Sequence, residues 1–175
     1  MLTTQDKCRI FIVNCLKMSQ LYNKELYKSF LEEPIASYGQ GGAVISFATL
    51  LTDKFKMVKV IQEGLSYAFF DRLKALFTLS LQDWSDYLDL SPKSLQRYQK
   101  ENRRFKSIHS EKILELAEVM VTGMEVFEDG EKLRLWMETP SLALGHQRPI
   151  VLIRNSYGKE LVMRELMALE HGIFV

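Results

Sequence analysis

The stretch SLQDWSDYLDLSPKSLQRYQKENRRFK, Ser80 to Lys106, decides the fold. Two short helical patterns meet in it at a tight break. Ser80 can cap the first, with Asp83 three residues on completing a capping box. Leu81, Trp84 and Leu88 fall on one face at i, i+3 and i+7. The break is Asp89-Leu90-Ser91. Ser91 is a good N-cap, and Pro92 suits the first helical position because its missing N–H would be unpaired there anyway. In the second helix Leu95 and Tyr98 point inward, while Lys93, Gln96, Arg97 and Lys100 share the outer face. That is the layout of a helix-turn-helix, whose second helix enters the DNA major groove.

Working outward, the flanks are helical too. Asp53 can cap a helix to about Gln62, with Phe55, Val58 and Ile61 or Val60 inward, and Gly64 interrupts it. Ser66 starts another, with Phe69, Leu73 and Leu76 on one side. On the far side Ser110 caps a longer helix striped by Ile113, Leu114, Ala117, Met120, Val121 and Met124, a pattern that suits a core or a dimer seam. Asp129-Gly130 breaks it. Glu131 to Met137 is a short helix carrying Leu133, Trp136 and Met137, stopped by Thr139-Pro140. Ser141 to Arg148 is a loop, and Pro149 begins a single turn through Ile153. The last helix runs from about Tyr157 to Glu170, apolar at Leu161, Val162, Leu166 and Leu169, with Gly172 as its C-cap.

The N-terminal third is less readable. Gln5 to Ser19 has no clean periodicity. Lys24 to Glu33 reads as a helix with Leu26, Tyr27, Phe30 and Leu31 on its apolar side, ended by Pro34. Gly39, Gly41 and Gly42 lack the Lys-Ser/Thr that a phosphate-binding loop needs, so they read as a flexible connection. Ala43 to Leu51 fits a buried strand or a helix, and periodicity does not choose.

The 175 residues suit one domain or one with an extension, and 47% hydrophobic residues are ample for a core. No apolar run approaches the roughly 20 residues that span a bilayer. No small-residue cleavage site follows Lys7, Arg9 and the short run Ile10 to Val13, so a soluble cytoplasmic chain without membrane contact is the expectation. On a helix Cys8 and Cys15 would lie about 10 Å apart along the axis, too far for a local disulfide, and they read as buried thiols.

Net charge is only +1, but it is unevenly placed. Ser91 to Lys112 holds seven basic and two acidic residues, whereas Glu125 to the end holds eight acidic and six basic. A basic patch in a near-neutral protein can concentrate DNA at one face. Gln96 can pair bidentately with adenine and Arg97 with guanine. Lys93, Ser94, Lys100, Arg103, Arg104 and Lys106 suit phosphates, which position without specifying, and Ser91 at the helix start is a further candidate DNA contact. The competing reading is a solvated basic face on a helical hairpin.

His109, His146 and His171 are scattered without ligand spacing, and no nucleophile motif is present, so neither metal, cofactor nor catalysis is expected.

From Gly64 onward the chain resembles the Xre-type antitoxins of bacterial RES–Xre toxin–antitoxin systems, related to the MbcA and ParS antitoxins. The residues that carry the resemblance are Gly64-Leu65-Ser66-Tyr67, Ser91 with Leu95-Gln96-Arg97, and Trp136 followed by Pro140, Leu144, Gly145 and Pro149. Gly158, Val162, Leu166, Glu170 and Gly172 complete it. The family usually has a second glycine after Leu-Gly, where this chain has His146. The resemblance implies an all-α protein. Residues 1–62 form an extension of unassigned role, 63–124 an Xre-like helix-turn-helix and dimerisation domain, and 125–175 a toxin-binding domain. It implies a homodimer that holds operator DNA and represses its own operon. Its partner would be a RES toxin that consumes NAD, whose active site the C-terminal domain blocks. A helix-turn-helix regulator or adaptor with a different protein partner is the alternative.

The tail Glu170-His171-Gly172-Ile173-Phe174-Val175 ends in three apolar residues. It either folds back on the core or inserts into a concave partner site. The resemblance favours insertion. Arg148 and Arg154 can meet acidic groups on a partner or equally face solvent.

Overall fold

The structure is a computed structural model that describes residues 24–32, 34–38, 43–76 and 81–172. Among the described residues ten helices and one hairpin follow in order: α1 (Lys24–Glu32), β1 (Pro34–Tyr38), β2 (Ala43–Ser46), α2 (Phe47–Thr52), α3 (Lys54–Glu63), α4 (Tyr67–Leu76), α5 (Leu81–Leu88), α6 (Pro92–Glu101), α7 (Ser107–Phe127), α8 (Gly130–Glu138), α9 (Pro149–Leu152) and α10 (Ser156–Glu170). The class is all-α, with β1 and β2 adding one antiparallel pair in which Ile35 faces Ile45. Ala43 to Leu51, ambiguous by periodicity, is both strand and helix. Ser46 ends β2 and caps α2, its hydroxyl accepting the Thr49 amide at 3.3 Å. Gln5 to Ser19, the two cysteines, the glycines 39–42 and the capping residue Ser80 lie outside the described residues.

The 21-residue α7 is the axis. The expected stripe is buried, and Leu116, Val119 and Gly123 are buried on the other faces as well. A helix apolar nearly all round belongs inside a fold rather than at its edge. α3, α5, α8 and α10 pack against it. Two aromatic groups fill the remaining space. Phe30, Phe47 and Phe69 bring α1, α2 and α4 together with centroids 4.9 to 5.6 Å apart. Phe105 stacks on Tyr98 at 4.5 Å and meets Phe70 edge-on at 5.1 Å. Phe70 in turn meets Trp84 edge-on at 4.9 Å. The loop that reads as merely basic therefore carries a core plug.

Several local expectations hold, with caps as the cause. Asp53 accepts the Lys56 amide at 3.1 Å and starts α3. Asp129 accepts the Glu131 and Lys132 amides and starts α8. Asn155 accepts the Gly158 amide and starts α10, and Gly172 follows its end at φ 68°.

Four expectations are corrected. Phe55 and Val58 point outward, Phe55 being 91% exposed, while Met57 and Val60 face the core. Apolar residues sit on two faces of α3, and packing against α7 selects the second. Leu81, at the very start of α5, is exposed, and the buried face is Trp84, Ser85, Tyr87 and Leu88. Leu161 is exposed, leaving Val162 and Leu166 as the inner residues of α10. Ser110 does not cap α7. The helix starts three residues earlier behind Lys106, which makes no side-chain cap, and Ser110 is fully buried.

Ser110 has a different task. Its hydroxyl accepts the Leu65 amide at 2.9 Å and lies within reach of the Lys106 carbonyl at 3.1 Å. The Phe105 amide donates to the Leu65 carbonyl at 2.8 Å. The Gly64–Ser66 segment thus lies along the Arg104–Lys106 segment, with an antiparallel bridge from Ser66 to Arg104. Gly64 sits at φ 82°, and a Cβ there would come within 2.2 Å of the Phe105 carbonyl oxygen. Only glycine permits both the backbone angle and this approach.

Candidate functional site

Two surfaces carry the expected functional residues. The first is the outer face of α6. Ser91 caps the helix in an extended conformation, its hydroxyl accepting the Ser94 amide at 3.1 Å, and Pro92 takes the first turn. Leu95 is buried and Tyr98 half-buried, which turns Lys93, Gln96, Arg97 and Lys100 outward. Together with Ser91, Ser94 and Glu101 these four border one open depression. Long cationic and amide side chains on one exposed helix face, with no apolar residue among them, suit hydrogen bonding to base edges and phosphates.

The basic residues beyond α6 are deployed differently. Asn102, in the left-handed region at φ 44°, ends the helix, and the Arg103 amide closes back on the Tyr98 carbonyl at 3.1 Å. The Arg103 side chain pairs with Glu101 at 2.6 Å. Arg104 donates through Nη1 to the Gly64 carbonyl at 2.9 Å, so part of its guanidinium serves the fold. Lys106 is exposed beside the start of α7.

The joint between α5 and α6 is closed by backbone. Asp89 adopts φ 54°, the Leu90 amide donates to the Ser85 carbonyl at 2.9 Å, and the Asp89 amide reaches the Asp86 carbonyl at 3.4 Å. This is a Schellman closure with aspartate at the left-handed position usually given to glycine. His109 Nδ1 donates to the Leu88 carbonyl at 3.1 Å. Burial pushes this imidazole below its ordinary value, against the pull of the carbonyl.

The second surface is the C-terminal domain. Arg148 is exposed just before α9. Arg154 lies on a small cavity of about 60 Å³ with Asp83, Tyr87, Leu116, Ile150 and Ile153, where α5 and α7 meet the segment after α8. Neither arginine borders the depression on α6. Glu170, His171 and Gly172 are exposed at the end of α10. α10 packs on α7, and burial, and after it the charge of Glu170, pushes the Glu125 carboxyl up. Ile173, Phe174 and Val175 lie outside the described residues. Trp136 is half-buried against Phe127 at 5.6 Å and fixes α8 to the end of α7.

Between the two surfaces stands Glu118 of α7. It pairs with Lys54 of α3 at 2.7 Å and, more closely, with Lys159 of α10. Burial would push its carboxyl up, but the hydrogen bonds and charges of Lys159 and Lys54 outweigh that and hold it below the usual range. One carboxylate thus ties the helix that opens the helix-turn-helix region to the last helix of the chain.

Sequence reasoning missed several exposed apolar residues on the C-terminal domain: Leu135, Leu142, Tyr157 at 82% exposure, Leu161 and Met167. Tyr157 and Leu161 are four apart on α10 and so share a face, which the reading of Leu161 as a core position conceals. Among the described residues no helix is long and apolar enough to cross a membrane, and no group of three acidic, cysteine or histidine residues is placed to hold a metal ion.

Comparison with known proteins matches these two surfaces separately. The family model of the antitoxin Xre-like helix-turn-helix domain matches residues 56–118. The model of the antitoxin Xre/MbcA/ParS C-terminal toxin-binding domain matches residues 122–172. The mycobacterial cidal antitoxins MbcA of Mycobacterium bovis and Mycobacterium tuberculosis are each 29% identical over 98 residues, covering 55% of this chain and 84% of the relative. A solved structure, that of the M. tuberculosis MbcT-MbcA toxin-antitoxin complex, is similar at a TM-score of 0.46 and 27% identity, over 55% of this chain and 86% of that one. The α6 face lies within the first match and α8 to α10 within the second, with α7 continuous through both: the chain belongs to the Xre/MbcA/ParS family of antitoxins, which act by binding rather than by turnover.

Proposed function

We propose that this antitoxin neutralises a cognate RES-type, NAD-degrading toxin by covering its active site with the C-terminal domain. In the same reading it dimerises in the cytoplasm and represses its own operon through the α6 face. The observation that carries the first half is the match of 122–172 to a toxin-binding domain. The apolar tail Ile173-Phe174-Val175 follows directly on the exposed end of α10. An apolar segment flanked by Glu170 and His171 suits a concave nucleotide pocket, which buries apolar surface and leaves a few polar groups to fix orientation. The second half is supported by the outward Lys93, Gln96, Arg97 and Lys100 behind a correctly capped helix start. Base-edge contacts fall to Gln96 and Arg97, and phosphate contacts to Ser91, Lys93, Ser94, Lys100, Arg103, Arg104 and Lys106.

The test is co-expression with the adjacent reading frame and purification through a tag on one partner. Recovery of a stable complex that lacks NAD-degrading activity supports the reading. An adjacent product that does not co-purify, or a complex in which NAD is still consumed, contradicts it. Binding to the chain's own upstream DNA, measured at low and moderate salt, tests the second half, since phosphate-driven binding falls steeply with salt.

A further inference from the structure

The joint that aims α6 is held from outside. The Schellman closure at Asp89 leaves the Tyr87 and Leu88 carbonyls at the end of α5 without helical partners. Both find donors on α7: Lys112 Nζ reaches the Tyr87 carbonyl at 3.4 Å, and His109 reaches that of Leu88. The same ammonium pairs with the Asp89 carboxylate at 3.2 Å. Tyr87 answers with its hydroxyl, donating to the Lys112 carbonyl at 3.0 Å. The Lys112 side chain is 24% exposed although it pairs with an aspartate that is 86% exposed, so it is drawn in over the turn rather than out to solvent.

By charge alone Lys112 belongs to the basic patch as one more phosphate contact. Its partners say otherwise. We propose that Lys112 is a positioning residue for DNA reading: by holding the α5–α6 turn on α7 it sets the angle at which Gln96 and Arg97 are presented to base edges. This rests on the DNA-binding reading above. A phosphate contact and a positioning contact leave different signatures. Loss of the first weakens operator and unrelated DNA alike and lowers the salt slope by about 1. Loss of the second lowers the preference for the operator and leaves the slope alone, because no counterion release is lost.

The experiment uses the full-length protein, its Lys112→Met and Lys112→Arg variants, and Lys106→Met as the phosphate-contact comparator. Binding to the chain's own upstream DNA and to a scrambled sequence is measured across a salt series. Hydrogen exchange of the Leu90 amide is followed without DNA. Lys112→Met is expected to lower the operator-to-scrambled ratio by about tenfold with an unchanged slope, and to speed Leu90 exchange by about tenfold. Lys112→Arg restores both. Lys106→Met weakens both DNAs together and lowers the slope. A Lys112→Met variant that behaves like Lys106→Met, or whose ratio and exchange match the parent, overturns the proposal while leaving DNA binding intact. A parent without any preference for its operator overturns the DNA reading, and the proposal with it.

Discussion

The Ser110 hydroxyl accepts the Leu65 amide at 2.9 Å across 45 residues of sequence, with both residues buried. It joins the segment before α4 to the first turn of α7. Removing the acceptor leaves a buried N–H with no partner, which costs more than the bond itself contributed. Ser110→Ala is expected to destabilise the protein by about 1–3 kcal/mol, read by chemical denaturation. A change within about 0.5 kcal/mol, the range of an ordinary surface substitution, contradicts this role.

Glu118 makes stability pH-dependent in a stated direction. Its carboxyl lies below the usual range when folded, since Lys159 and Lys54 outweigh the effect of burial. A depressed acid contributes stability that is full above its unfolded value and is lost as pH falls through the folded one. Glu115, one turn earlier, is pushed up, by burial first, and so opposes folding as pH rises above its unfolded value. Glu118→Gln is expected to cost about 1.5–3 kcal/mol at neutral pH and to reduce the loss of stability on acidification through the carboxylate range. Denaturant midpoints for parent and variant that fall in parallel on acidification contradict the assignment.

His146 occupies φ 60° in the loop after α8. Its amide donates to the Ser141 carbonyl at 2.8 Å, which holds it there. A side chain in the left-handed region costs about 1–2 kcal/mol, and this is the place where the family usually has glycine. Glycine also raises unfolded-state entropy by about 0.4–1 kcal/mol, so His146→Gly is expected to gain about 0.5 kcal/mol net. A thermal midpoint that falls below the parent contradicts the strain argument.

Arg97 is exposed on α6 beside Gln96. Arg97→Ala is expected to weaken operator binding by about 1–3 kcal/mol and to relax specificity at one base position. Equal operator binding by variant and parent at fixed salt removes Arg97 from the reading set.

How much of this was legible depended on range. Local signals worked. Ser91-Pro92, Asp53 and the α7 stripe each act within a turn or two, and each stands where the sequence put it. Signals that depend on a distant partner did not. Phe55 and Val58 form as good an apolar face as Met57 and Val60, and only α7 decides between them. Ser110 has the residue type of a cap and the position of a core clamp. Arg104 reads as patch charge alone until the Gly64 carbonyl, forty residues away in sequence, is placed against part of its guanidinium. At the site, the α6 residues were legible because one helix presents them. The exposed Tyr157 and Leu161 were not, because Leu161 passes for a core residue of α10 and Tyr157 stands at the helix start, off the expected apolar side.

The most direct test of toxin neutralisation is growth rescue by the full-length chain and by a chain lacking Ile173, Phe174 and Val175, each co-expressed with the product of the adjacent reading frame while cellular NAD is measured. Thermal denaturation of the purified truncation confirms that it remains folded. The full-length chain is expected to restore growth and NAD, and the folded truncation to restore neither. A folded truncation that rescues growth as well as the parent contradicts neutralisation through the tail.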